Sequence, residues 1–249
     1  VRLSLLGSGD AAGMPLYGCQ CKRCVLARAD QTARRAPCSA LLEVGGQQYL
    51  IDAGLMNIAD RFPAPALSGI FVTHFHADHV QGLLHLRWGS GVKIPVYCPP
   101  DSNGCADLFK HPGILDFQPQ RKFASFRLGE LSITPLPLIH SKPTFGYLFE
   151  HNMQRIAYLV DTRGLPPKVI ELLADSQLQR LVIDTTAGPG VDNGGHNNLD
   201  DTLLLHRQIN AEQTIMTHIN HDFDGWLKDN ADSLPADLRA GHDGYAVFP

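Results

Sequence analysis

The chain has 249 residues, a formal net charge of −4, and 44% hydrophobic against 18% charged residues. That balance gives enough apolar surface to bury a core and excludes a disordered or fibrous chain. It also gives no broad positive field of the kind that grips a nucleic acid backbone, so no long polyanion is expected as a partner.

Arg2–Leu6 reads as a short strand rather than a signal segment, and no apolar run reaches the length of a membrane span. A cytoplasmic protein with one domain over residues 1–249 is expected, needing no membrane. A Gly-rich turn follows the strand, then Gly18-Cys19-Gln20-Cys21-Lys22-Arg23-Cys24. Packing does not explain three thiols so close together, whereas three thiolates suit tetrahedral zinc. The expected fourth ligand is His221, on a loop just after His218, which makes Cys19, Cys21, Cys24 and His221 a closed structural zinc site. Cys38, Cys98 and Cys105 are scattered and read as buried small hydrophobes.

Strands are predicted at Ala40–Val44, Gln48–Ile51 and Ile70–Thr73. The last runs into Thr73-His74-Phe75-His76-Ala77-Asp78-His79. Alternate residues of an extended segment share a side, so His74 and His76 converge on one ion. Asp78 and His79 sit where the chain turns into a helix and suit a second ion a few ångströms away. Crowding three imidazoles and a carboxylate together serves no packing purpose. A helix is predicted over Asp78–Arg87, with Val80, Leu83, Leu84 and Leu86 on its apolar face and Asp78 capping its first turn. Phe62–Pro65 and Pro95–Pro100 read as surface loops, with a strand at Ile94–Tyr97.

The second half alternates again: strands at Leu131–Pro135, Phe145–Phe149, Arg155–Val160, Arg180–Ile183 and Thr214–Thr217, helices at Pro166–Ala174 and Leu199–Ile209. Two similar halves predict an α/β fold with two sheets face to face and helices outside. His140, Asp161 and His218 each follow an apolar run, as ligands on a rim of strand ends do. His196, in the Gly-rich loop Gly194–Asn198, is expected to be mobile and is the candidate proton donor to a leaving alkoxide.

The His-x-His-x-Asp-His motif after an apolar strand, with Leu50-Ile51-Asp52-Ala53-Gly54 before it, resembles the metallo-β-lactamase superfamily. That resemblance implies an αββα sandwich of two mixed β-sheets with helices outside. It places the first metal on His74, His76 and His140 and the second on Asp78, His79 and His218, with Asp161 bridging and Asp52 supporting the ligand loop. A narrower resemblance, to the PhnP family, rests on Leu6–Pro15, the Cys-x-Cys-x-x-Cys loop, Asp78–Leu83, Leu86–Gly89, Ile94–Tyr97, Leu108–Gly113 and Thr144–Tyr147, and spans nearly the whole chain. It implies a homodimeric phosphodiesterase that opens 5-phosphoribosyl 1,2-cyclic phosphate to ribose 1,5-bisphosphate in phosphonate (carbon–phosphorus lyase) breakdown. It further implies Asp78, Asp161 and His196 as catalytic residues, one structural zinc, and two catalytic metals, manganese preferred over zinc, iron or nickel. Ser141 and Lys142, beside His140, are candidates for holding a distal phosphate. Asp10, where that family has Gly, and Arg163 depart from the pattern. Two alternatives remain: a tRNase Z-type 3′ endonuclease, for which no basic arm is evident, and a PqqB-like accessory protein of cofactor biosynthesis, which shares the Gly-rich start and the Cys loop.

Overall fold

The computed structural model describes residues 1–248. The strands are β1 (Arg2–Gly7), β2 (Ser39–Val44), β3 (Gln47–Ile51), β4 (Gly69–Phe71), β5 (Ile94–Cys98), β6 (Leu115–Pro119), β7 (Phe126–Leu128), β8 (Leu131–Pro137), β9 (Phe145–His151), β10 (Gln154–Leu159), β11 (Arg180–Asp184), β12 (Gln213–Thr217), β13 (Leu238–Ala240) and β14 (Ala246–Val247). Helices are α1 (Lys22–Ala29), α2 (Ile58–Arg61), α3 (Ala77–Val80), α4 (Leu83–Leu86), α5 (Ala106–Lys110), α6 (Pro167–Asp175), α7 (Leu199–Ile209) and α8 (His221–Asn230).

Among the described residues the strands form two seven-stranded mixed sheets, ordered β14-β1-β2-β3-β4-β5-β6 and β13-β12-β11-β10-β9-β8-β7. Both follow one plan. From β14 to β3 and from β7 to β10 neighbours are antiparallel; from β3 to β6 and from β10 to β13 they are parallel. The parallel strands of each sheet therefore deliver their carboxyl ends to a common rim, where ligands collect in open α/β sheets.

The inner faces share an apolar core that includes Leu3, Leu42, Phe71, Tyr147, Phe149, Tyr158 and Ile215. Phe71 lies 5.2 Å, centroid to centroid, from each of Tyr97, Tyr147 and Phe149. The Tyr147 hydroxyl donates to Val72 O at 2.8 Å, so its polar tip is satisfied while the ring crosses between sheets. The outer face of the first sheet packs under α2 to α5 through Ile58, Val80, Leu83 and Leu108. That of the second packs under α6 and α7 through Val169, Leu173, Leu205 and Ile209. This is the expected αββα sandwich.

Several expectations need correction. The strand expected to reach Thr73 ends at Phe71, because Asp52 captures Thr73 N at 2.7 Å in place of a ladder partner. The helix expected over Asp78–Arg87 is two short helices, α3 and α4. Asp78 does not cap; the N-cap is His76, with no side-chain hydrogen bond. Pro95 lies within β5, at its start, where the missing N–H is tolerated. Cys38 and Cys98 are buried as expected, but Cys105 is only partly so, at the N-cap of α5.

Candidate metal centre

β4 leads into His74, which is fully buried, and the extended segment after it brings His76 to the same side, with His74 Nε2 2.8 Å from His76 Nδ1. From the facing sheet, the segment after β8 presents His140, whose Nε2 is 3.1 Å from His76 Nδ1. Asp161, after β10, places Oδ2 3.6 Å from His74 Nε2 and 3.7 Å from His140 Nε2. The ligand atoms of His74, His76, His140 and Asp161 all lie within 4.8 Å of one another.

A second quartet, Asp78, His79, Asp161 and His218, meets the same limit and shares Asp161. His79 Nε2 is 3.1 Å from Asp78 Oδ2 and 3.4 Å from Asp161 Oδ2, and His218 Nε2 is 3.3 Å from Asp161 Oδ1. His79 Nδ1 is held by Asp52 at 2.8 Å and His218 Nδ1 by Thr186 Oγ1 at 2.7 Å, so both rings turn Nε2 inward. His79 Nε2, Asp161 Oδ1 and His218 Nε2 are buried without a hydrogen-bond partner. Buried polar atoms are rarely left so. Orphaned donors of nitrogen and carboxylate type, converging from both sheets, fit a pair of divalent cations.

The electrostatics of the metal-free side chains agree. Burial pulls His74 well below the usual imidazole range and lowers His76 and His140. Burial opposes ionisation of Asp161, but His218, His79 and His74 around it hold it well below the carboxylate range. His79 is raised against its own desolvation by Asp161 and Asp52. Asp161 held ionised and His74, His76 and His140 held neutral are the protonation states that bind a divalent cation.

Beside the quartets stands a residue that sequence reasoning missed. Asp184, fully buried at the end of β11, accepts from His196 Nδ1 at 2.7 Å, Thr162 N at 2.9 Å and Thr186 Oγ1 at 2.8 Å. Burial depresses His196, but the Asp184 bond outweighs it and raises the imidazole to about 9. Its ring stacks on His218, centroids 4.7 Å apart. The loop carrying His196 is tied to its surroundings by hydrogen bonds. Asn197 is buried and binds Asp184 O, Gly164 N, Thr162 O and Thr186 N, and Asn198 and Asp201 form a capping box that starts α7. Arg163 clasps the same loop through Asp192 and Gly194 O.

A profile described as a beta-lactamase superfamily domain matches residues 47–219, which hold every residue of both quartets. The chain belongs to the beta-lactamase superfamily. Within it, a solved structure described as a new diphosphatase from the PhnP family superposes with a TM-score of 0.84 at 27% identity, covering 99% of this chain and 96% of that one. A coenzyme PQQ synthesis protein B from Methylobacterium radiotolerans is 25% identical over 99% of each chain. An octanoyltransferase from Porphyromonas gingivalis is 25% identical over 98% of this chain, and a ribonuclease Z from Azobacteroides pseudotrichonymphae is 30% identical over 49% of it. This superfamily member spans about half the length of each of those last two, 51% in both cases.

The Cys loop is gathered only in part. Cys19, Cys21 and His221 bring their ligand atoms within 4.8 Å of one another; the Cys24 thiol lies against those of Cys19 and Cys21 but does not meet that limit with all three. The reason is local: α1 starts at Lys22, and in its first turn the buried Cys24 faces the chain before it, with Sγ accepting from Leu16 N at 3.4 Å. Cys21 is the N-cap, and the N–H of Cys24 stabilises its thiolate, lowering it from the usual thiol range. Burial pushes Cys24 up to about 11. His221 is not in a loop as expected but opens α8, which is capped by Asn220. Asp10 lies between the two sites, folding a turn by accepting from Ala12 N at 3.1 Å and Gly13 N at 3.0 Å. Ser141 Oγ is 3.4 Å from His76 Nε2. Among the described residues no helix is long and apolar enough to cross a membrane.

Proposed function

We propose that this chain is a PhnP-type phosphodiesterase acting on a small cyclic phosphodiester, with 5-phosphoribosyl 1,2-cyclic phosphate as the substrate and ribose 1,5-bisphosphate as the product, in phosphonate breakdown. The observation that carries the reading is a pair of quartets sharing Asp161 with the His196–Asp184 pair beside them. Similarity over nearly full length to a PhnP-family diphosphatase supports it. His74, His76 and His140 would hold one cation, Asp78, His79 and His218 the other, and Asp161 both, with manganese preferred. When bound, such a pair neutralises phosphoryl oxygens and lowers the pKa of water.

The chain's own residues do the rest. Asp52 and Thr186 fix the ring orientation of His79 and His218, so the ligand atoms are set before substrate arrives. With Nδ1 bound to Asp184, His196 keeps Nε2 free, and as an imidazolium it can pass that proton to the ribose oxygen as the P–O bond breaks. Asp184 stabilises the charged ring and fixes its tautomer. Ring strain in a five-membered cyclic phosphate leaves less of the barrier to be removed, so positioning and charge suffice.

Turnover of ribosyl 1,2-cyclic phosphate and of a 2′,3′-cyclic nucleotide by the manganese-loaded protein tests this reading. Both should be cleaved, and His196→Ala should slow the reaction by about 10²-fold or more while metals are retained. Unchanged turnover in that variant removes His196 from the mechanism. A second reading, an accessory protein of cofactor biosynthesis, has one observation in its favour, the end-to-end match to a PQQ synthesis protein B. Failure to cleave any cyclic phosphate would move the balance to it. We also propose a homodimer, a cytoplasmic location and a zinc ion on the Cys loop.

A further inference from the structure

The parallel strands β3 to β6 run in one direction, so their ends step along one edge of the first sheet. β4 leads into His74; two strands further along, β6 leads into Gln120, Arg121 and Lys122. At the usual strand spacing that places Arg121 and Lys122 about 10 Å from the metal-ligand loop. The facing sheet adds the turn between β8 and β9, which carries His140 and then Lys142. Phe145 N donates to Thr73 O at 2.9 Å and ties the two edges together at this point.

Between these edges lies a cavity of about 710 Å³ whose walls include Arg121, Lys122 and Lys142 over Leu138, Phe145 and Pro100. Among the described residues no carboxylate lines it. Among the described residues, the ion pairs made by Lys and Arg all use other side chains. Three cations around one hollow repel one another, and the apolar floor strengthens the field they share. In a chain of net charge −4 this is a local excess beside the centre, and it is relieved by a compact dianion. We propose that this cavity binds a second, non-reacting phosphate monoester of the substrate, held about one pentose length from the phosphodiester at the metal ligands. The identity of the reacting group rests on the phosphodiesterase reading; the binding of the monoester does not.

Calorimetric titration of the metal-loaded protein with ribose 5-phosphate, using ribose as the control, tests the cavity without turnover. R121A/K122A should weaken ribose 5-phosphate binding about tenfold or more, and R121K alone should recover part of what R121A loses. In turnover, the same pair of substitutions should lower by about tenfold the ratio of kcat/KM for ribosyl 1,2-cyclic phosphate with a 5-phosphate to that without one. Unchanged affinity for ribose 5-phosphate, or an unchanged ratio, overturns the assignment. If the wild-type protein cleaves neither substrate, the phosphodiesterase reading fails, and the titration still decides whether the cavity takes a phosphate.

Discussion

Asp184 connects two imidazoles with different tasks. It holds His196 directly and reaches His218 through Thr186, so one buried carboxylate sets a proton donor and a ligand ring together. Replacement by Asn keeps the shape but removes the charge that raises His196 to about 9. The imidazolium is present below its pKa, so a rate that needs it falls as pH rises through that value. D184N should therefore shift the alkaline limb of the pH–rate profile to lower pH and reduce kcat by about 10–100-fold. Linkage has the same direction: a histidine raised on folding contributes stability that is complete below its unfolded pKa and lost as pH climbs through the folded value. Histidine NMR titration of the metal-free chain measures the pKa itself, and an alkaline limb that stays in place in D184N sinks the donor role. The signal for Asp184 was in the sequence. Leu181-Val182-Ile183-Asp184 has the same form, an apolar run ending in Asp, that drew attention to Asp52 and Asp161.

At the level of elements, the turn that carries Asp78 and His79 is shaped by glycines in two segments. A Cβ on Gly54 would lie 2.2 Å from Asp78 O, and one on Gly82 would lie 2.2 Å from Leu55 O. Through this close approach Ala53 N reaches His79 O and Gly82 N reaches Ala53 O, both at 2.8 Å. That contact, absent from any local pattern, is why one expected helix is two: the spacing of Val80, Leu83, Leu84 and Leu86 suits either arrangement. Strand positions were legible because β-branched and aliphatic runs bounded by Gly or Pro mark them locally. Edge strands β6, β7, β13 and β14 were not: the last three are too short to carry a pattern, and β6, Leu-Asp-Phe-Gln-Pro, has only two apolar positions before its Pro and no β-branched residue. Left-handed backbone at Asp52 (φ 57°) and His218 (φ 61°) has no sequence signal either, and is held by the surrounding hydrogen bonds. G54A should push the Asp78–His79 turn outward and weaken the second cation about tenfold or more, leaving the His74–His76–His140–Asp161 quartet with near-normal affinity. Metal titration by calorimetry resolves the two steps, and equal weakening of both would show that Gly54 acts on the fold rather than on that site.

On the scale of the whole molecule, ligands come from both sheets: His74, His76, Asp78 and His79 from one, His140, Asp161 and His218 from the other. A cation pair is thus a bridge across the sandwich, and binding to the folded state alone adds stability that grows with the logarithm of free metal, about 4 kcal/mol at a thousandfold excess over Kd. The Cys loop joins a different pair of parts, tying the N-terminal segment to α8 through Cys19, Cys21 and His221. Arg23 and Arg35 already pair with Asp224 across that junction, so α1 should stay docked without zinc while the loop before it loosens. Chelation should then lower Tm in two separable stages, and C21S should remove one of them while catalytic metal content stays the same. Hydrogen exchange locates the effect. Faster exchange confined to residues 15–24 and the first turn of α8 is the expected result in C21S, whereas protection unchanged there, or lost across both sheets, would mean that these thiols do not hold a separate structural ion.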